Sequence, residues 1–186
     1  MQSVWKIVIG GEGSVGKTTL LETLLAEKFV DDAKLTVGIE FHGKEIIRQG
    51  KRIYMAFWDL GGQDRFKFLH DAFIKGARAA IVCFDMNRLE SLIEARQWVE
   101  LIQGQLYHSI PILLFGTKMD LVSENRQEDI KAAAQGLVDE LGLFIYIPTS
   151  SKQGINIEAA IDVLIEITLW EYNQERSHFG LLGPVS

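Results

Sequence analysis

The sequence predicts an α/β fold: a six-stranded, mostly parallel sheet with one antiparallel strand and helices on both faces. Three observations predict it. Apolar runs of strand length alternate with stretches whose apolar residues recur every three or four positions. Two of the runs, Ala79–Phe84 and Pro111–Phe115, are apolar throughout, as strands covered on both faces are. Phe41–Arg48 and Lys51–Trp58 flank Gly50 closely enough to form a hairpin, which supplies the antiparallel strand.

Taken in order, Ile7-Val8-Ile9 opens the sheet and runs into a glycine-rich turn. Leu20, Leu21, Leu24 and Leu25 then mark one helical face that ends near Lys28. The hairpin and the buried strand Ala79–Phe84 follow. Leu92, Ala95, Trp98, Val99, Ile102 and Leu106 trace a second helix face. Beyond Pro111–Phe115, residues 126–140 read as a helix stopped by Gly142, and Leu143–Ile147 as a short strand. Asn156 is placed to cap a last helix whose core face runs from Ile157 through Ala160, Ile161, Leu164, Ile165, Thr168 and Leu169 to Tyr172. One domain is therefore expected over residues 1–172, with 173–186 a flexible tail.

Bulk properties narrow the function classes. The 186 residues suit one core, and 47% hydrophobic with 24% charged residues is an ordinary globular composition. A net charge of −6 argues against a broad nucleic-acid surface. No apolar stretch reaches membrane-spanning length, and the N-terminus enters a strand pattern with no signal peptide. The single cysteine, Cys83, lies in an apolar run, which makes it a core residue and suits a reducing, cytoplasmic compartment.

Ligands of such sheets bind beyond the carboxyl ends of the strands, and the chemistry-bearing residues fall there. Gly11-Glu12-Gly13-Ser14-Val15-Gly16-Lys17-Thr18 stands between the first strand and the first helix and has the phosphate-loop pattern. Its glycines let backbone N–H groups turn toward phosphate oxygens at a helix N-terminus. Lys17 is suited to the β- and γ-phosphates and the Thr18 hydroxyl to Mg²⁺. Thr117-Lys118-Met119-Asp120 follows a buried strand and chooses the base. Guanine offers N1–H and its 2-amino group as parallel donors that the Asp120 carboxylate accepts together, whereas adenine leaves it unpaired. The Lys118 stem is suited to lie along the ring.

With these motifs in place the chain resembles a small GTPase of the Ras superfamily over about residues 4–172, a P-loop G domain. The resemblance implies GTP and GDP as ligands, with Mg²⁺, and a switch that slowly hydrolyses GTP. It implies nucleotide contacts from Gly13, Ser14, Val15, Gly16, Lys17, Thr18 and Thr19, and from Thr117, Lys118 and Asp120 at the base. Ser150-Ser151-Lys152 matches the family's last motif, whose N–H groups face guanine O6. Phe29 matches the aromatic residue beside the base. Thr18, Thr36 and Asp59 match the metal-side residues, and the Gly62 N–H faces the γ-phosphate. Gln63 matches the residue that orients the attacking water, with Lys17 and Thr36 beside the reacting phosphate.

Thr36–Phe41, Gln63–Phe66 and Phe73–Ala77 resemble Rab proteins, whereas Trp58-Asp59-Leu60-Gly61-Gly62-Gln63 resembles the Arf-type switch II. Phe41, Trp58 and Phe73 stand where Rab effectors dock, and they read equally as core aromatics at the switch edges. Effector, exchange-factor and activating-protein partners follow from the resemblance. Two departures stand out. Thr117 replaces the usual asparagine, which predicts the loss of one tethering contact, about 1 kcal/mol. Gln2 and a tail without cysteine write no lipid anchor, so membrane association is expected only through partners. A hydrolysing switch is the main reading and a scaffold held in one nucleotide state the alternative.

Overall fold

The computed structural model describes residues 3–26, 38–62 and 72–180, with the backbone alone at residue 26 and at 175–180. The sheet comprises β1 (Ser3–Gly10), β2 (Ile39–Arg48), β3 (Lys51–Leu60), β4 (Ala79–Asp85), β5 (Ile112–Thr117) and β6 (Ile145–Pro148). Their spatial order is β2-β3-β1-β4-β5-β6. β1 pairs in parallel with β3 and β4, and β5 in parallel with β4 and β6. Only β2 runs antiparallel, against β3, as the hairpin predicts. Arg48 pairs with Lys51, which leaves a two-residue loop. Gln49 and Gly50 both have positive φ, 51° and 72°, the arrangement that matches strand twist in a tight hairpin.

Alternation along β1 divides the core in two. Trp5, Ile7 and Ile9 pack with α1 (Lys17–Ala26) and the last helix, while Val8 packs on the other face with α2 (Ser91–Gln105) and α3 (Glu124–Leu141). β4 is buried at every residue, as its uniform apolar run requires. α3 stops at Gly142, whose φ of 64° and N–H bond to the Val138 carbonyl close the helix.

The last helix, α4, spans Ile157–Gly180. The boundary expected at residue 172 thus falls inside it: the apolar stripe ends near Tyr172, but no glycine or proline interrupts the helix before Gly180. Asn156 precedes this helix without serving as a side-chain cap. Its backbone is left-handed (φ 59°), its carbonyl accepts the Ala160 N–H, and its amide nitrogen donates to the Pro148 carbonyl at 2.8 Å. Among the described residues no helix is long and apolar enough to cross a membrane.

The strand order reverses at β1, which lies between β3 and β4. In α/β sheets such a reversal opens a crevice at the carboxyl ends. Residues 11–18, 59–62, 85–88 and 117–120 all leave the sheet there.

Candidate functional site

The loop from Gly11 to Lys17 is defined by where its carbonyls go. Those of Gly11 and Glu12 accept from Lys17 Nζ at 2.8 and 2.9 Å. Gly13 accepts from Arg88 Nη2 at 3.3 Å, Ser14 from Lys118 Nζ at 2.8 Å, and Val15 from the Thr117 hydroxyl. Gly16 accepts the Leu20 N–H at 2.9 Å, the first turn of α1. In a trans peptide the C=O of one residue and the N–H of the next point in opposite directions. Donors on the carbonyls of Gly13, Ser14 and Val15 therefore turn the N–H groups of Ser14, Val15 and Gly16 to the other side. No acceptor among the described residues meets those N–H groups. Ser14 holds the left-handed conformation (φ 65°) within this curl, and the whole is a run of inward N–H groups at a helix N-terminus, an arrangement suited to an anion.

Lys17 is 5% exposed, and burial pulls its ammonium below the usual range, opposed first by the Asp59 carboxylate. Asp59 is fully buried at the end of β3, and burial raises it, opposed by Lys17 and by the Thr18 hydroxyl. Thr18 Oγ1 donates to Asp59 Oδ2 at 2.5 Å, while Asp59 Oδ1 is buried without a hydrogen-bond partner. A buried carboxylate oxygen left unpaired beside a hydroxyl fits the Mg²⁺ that the resemblance implies, since the ion is hard and takes oxygen ligands. Among the described residues no three His, Cys, Asp or Glu groups converge. A magnesium held by Thr18 and Asp59 would thus share its shell with phosphate oxygens, whose charge it neutralises.

Gly62 lies against this loop. A Cβ there would stand 2.4 Å from the Glu12 carbonyl carbon and the Gly13 nitrogen, so only glycine fits. The Gly61 N–H donates to the Gly38 carbonyl at 2.8 Å, tying the segment after β3 to the start of β2.

The residues expected at the base follow β5 and β6. Lys118 takes the left-handed conformation (φ 58°), and its ammonium lies 2.8 Å from Asp85 Oδ2 as well as from the Ser14 carbonyl. Asp120 Oδ1 accepts from Ser150 Oγ at 2.6 Å, and Ser150 Oγ in turn accepts the Gln153 N–H at 3.1 Å. The N–H groups of Ser151 and Lys152 meet no acceptor among the described residues. Thr117 is buried, and its hydroxyl reaches the Val15 carbonyl and, at 2.9 Å, the Phe84 carbonyl. The tether expected to weaken at this position therefore persists toward the phosphate loop; what threonine lacks is an amide to make further bonds.

The aromatic trio comes together on one side of β2 and β3. Phe41 and Trp58 meet edge to face with centroids 4.4 Å apart, and Trp58 and Phe73 are 5.3 Å apart. Phe41 is 60% exposed, which departs from a purely core role. Lys6 Nζ sits 3.9 Å over the Trp58 ring and donates to the Lys75 carbonyl. Cys83 is a core residue as expected: it is fully buried, and burial pushes its thiol up to about 12.

Phe29, Thr36 and Gln63 lie outside the described residues. Thr19 lies in the first turn of α1. Sequence reasoning missed Asp85, Arg88 and Glu12. Asp85 carried a signal, a lone carboxylate ending an otherwise apolar β4 at the ligand edge of the sheet. Arg88 carried none, because its link to Glu12 joins two surface-type residues distant in sequence.

The model of the Ras family matches residues 6–169. The GTP-binding protein yptV5 of Volvox carteri is 35% identical over 176 residues, which covers 92% of this chain and 85% of that protein. The Ypt/Rab-type GTPase ypt7 of Schizosaccharomyces pombe is 32% identical over 184 residues, 97% of this chain and 89% of its own length. The mouse Ras and EF-hand domain-containing protein homolog is 29% identical over 190 residues, and the chain spans only 30% of its length. With this sheet order, a phosphate loop bonded by Thr117 and Lys118, a family match over residues 6–169 and these relatives, the chain belongs to the Ras family of small GTPases.

Proposed function

We propose that the protein is a Rab-type guanine-nucleotide switch that binds GTP and GDP with Mg²⁺ and slowly hydrolyses GTP. The observation that carries the reading is the lacing of two loops. Lys118 and Thr117 bond the carbonyls of Ser14 and Val15, so the phosphate loop and the Asp120 loop are held side by side. The concavity at residues 13–18 takes the phosphates, Asp120 and the N–H groups of Ser151 and Lys152 take guanine, and Thr18 and Asp59 take the metal. Thr36 and Gly62 meet the γ-phosphate, Phe29 flanks the base, and Gln63 orients the attacking water. Loss of the γ-phosphate then releases the segments around Thr36 and Gly62.

Turnover by the isolated chain is slow, because no arginine precedes Thr36, and an activating protein that donates arginine accelerates it by roughly 10³–10⁵. Effectors read the exposed Phe41 with Trp58 and Phe73. The Arf-like wording of Trp58–Gln63 serves the same switch on a Rab-type frame. The protein works in the cytoplasm and reaches membranes through partners.

Single-turnover chromatography of protein loaded with GTP and Mg²⁺, beside Gln63→Leu, tests the reading. Slow conversion to GDP that Gln63→Leu suppresses is the expected result. Bound GTP that never converts overturns the switch in favour of a scaffold held in one nucleotide state.

A further inference from the structure

Three of the carbonyls that shape the phosphate loop are held from outside it. Two of the donors, Lys118 and Thr117, belong to the guanine motif. The third, Arg88, belongs to no motif, yet its Nη2 lies 3.3 Å from the Gly13 carbonyl and 2.8 Å from Glu12 Oε2. The arginine is itself well anchored. Its N–H donates to the Asp85 carbonyl, and its carbonyl accepts both the N–H and the hydroxyl of Ser91. Ser91 is fully buried and also accepts the Asp85 N–H at 2.8 Å. The turn between β4 and α2 thus presents the guanidinium to the loop from a fixed base. Arg88 Nε is buried with no partner among the described residues, a cost that a pair kept only for surface stability has no reason to carry.

We propose that Arg88, held by Glu12, is a positioning residue for nucleotide retention: it fixes the Gly13–Ser14 peptide so that the Ser14 N–H faces the phosphates. The reasoning is geometric. That peptide is one rigid plane, so a donor on its carbonyl sets the direction of the Ser14 N–H. Glu12 stands on the same loop one residue earlier, and its carboxylate keeps the guanidinium in place over Gly13. The loop is fastened from β4 through Arg88 and from β5 through Lys118 and Thr117. This rests on the nucleotide-site reading above and goes beyond it, because it assigns a role to Arg88, which lies outside every motif, and to the Glu12 side chain, which the phosphate-loop pattern leaves unspecified.

Position and charge make opposite predictions for Glu12. If Arg88 acted by its charge on the phosphates, removing the Glu12 carboxylate would tighten nucleotide binding. If it acts by position, removing its anchor loosens binding. The experiment is release of a fluorescent GDP analogue from full-length protein with Mg²⁺ and excess unlabelled GDP, for wild type, Arg88→Ala, Arg88→Lys, Glu12→Gln and Glu12→Gln/Arg88→Ala. Thermal melts of the nucleotide-free forms serve as a check on folding.

Arg88→Ala is expected to release nucleotide roughly fivefold faster or more, the scale of one charge-assisted hydrogen bond. Arg88→Lys, which keeps the charge and preserves the fold, restores part of the difference. Glu12→Gln also speeds release, and the double variant releases no faster than Arg88→Ala, since both changes remove one interaction. Unchanged release in folded Arg88→Ala, or slower release in Glu12→Gln, overturns the proposal while wild-type retention upholds the nucleotide site. A wild type that fails to hold the analogue overturns the site reading, and this inference with it.

Discussion

Ser150 Oγ donates to Asp120 Oδ1 at 2.6 Å and joins the loop after β6 to the loop after β5. The hydroxyl fixes the carboxylate proposed to read guanine. Its other partner, the Gln153 N–H, holds the hydroxyl in turn. Selectivity and affinity should therefore separate. Asp120→Asn exchanges an acceptor for a donor, and GTP affinity is expected to fall on the order of 10²–10⁴-fold while xanthosine triphosphate, with an oxygen at C2, gains. Ser150→Ala should weaken GTP by about 1 kcal/mol without changing base preference. Competition between the two triphosphates for labelled GDP checks both.

Thr117 links the base loop to the phosphate loop through one hydroxyl. Thr117→Val keeps the shape and leaves the buried Val15 and Phe84 carbonyls without that donor. The expected cost is about 1–3 kcal/mol, seen in denaturant unfolding, together with faster nucleotide release. Equal stability and equal release would show that the hydroxyl contributes nothing to the tether.

Thr18 donates to Asp59, whose other carboxylate oxygen is already unpaired. Thr18→Ala should remove most of the difference between nucleotide release with Mg²⁺ and release with a chelator. Wild type should show a large difference. A variant as sensitive to chelation as wild type would remove Thr18 from the metal site.

Cys83 provides the pH dependence. Its ordinary value of 9.0 is pushed up to about 12 by complete burial. Between those values the unfolded chain loses a proton that the folded chain keeps, so stability is present below pH 9 and falls as pH rises toward 12. The slope approaches about 1.4 kcal/mol per pH unit for this thiol. Tyr146, also raised to about 12 by burial, acts in the same direction. Urea unfolding across this range should give a shallower fall for Cys83→Ala than for wild type, with Tyr146 common to both. Identical slopes would mean that the thiol titrates normally in the folded protein.

Much of this was legible in the sequence, for reasons that differ by element. β4 and β5 announced themselves because burial on both faces demands uninterrupted apolar residues. The phosphate loop and the Thr117–Asp120 segment were legible because their chemistry lies within a few consecutive residues. The end of α4 was not, since the amphipathic stripe reports packing and the helix continues past it to Gly180. Asn156 was misread for a related reason: a residue type suited to capping was recruited to bond Pro148 across the turn.

The sequence by itself determined the alternation of strands and helices, the family, and which residues could meet phosphate, metal and guanine. Each of these depends on periodicity or on short motifs, which are local. The tertiary structure decided how the loop is held: Arg88 on Gly13 and Glu12, Lys118 between Ser14 and Asp85, Ser150 on Asp120. Those contacts join residues from different strand ends, and no local pattern encodes them. They arise because a parallel sheet brings the carboxyl ends of its strands to one edge, where distant side chains become neighbours.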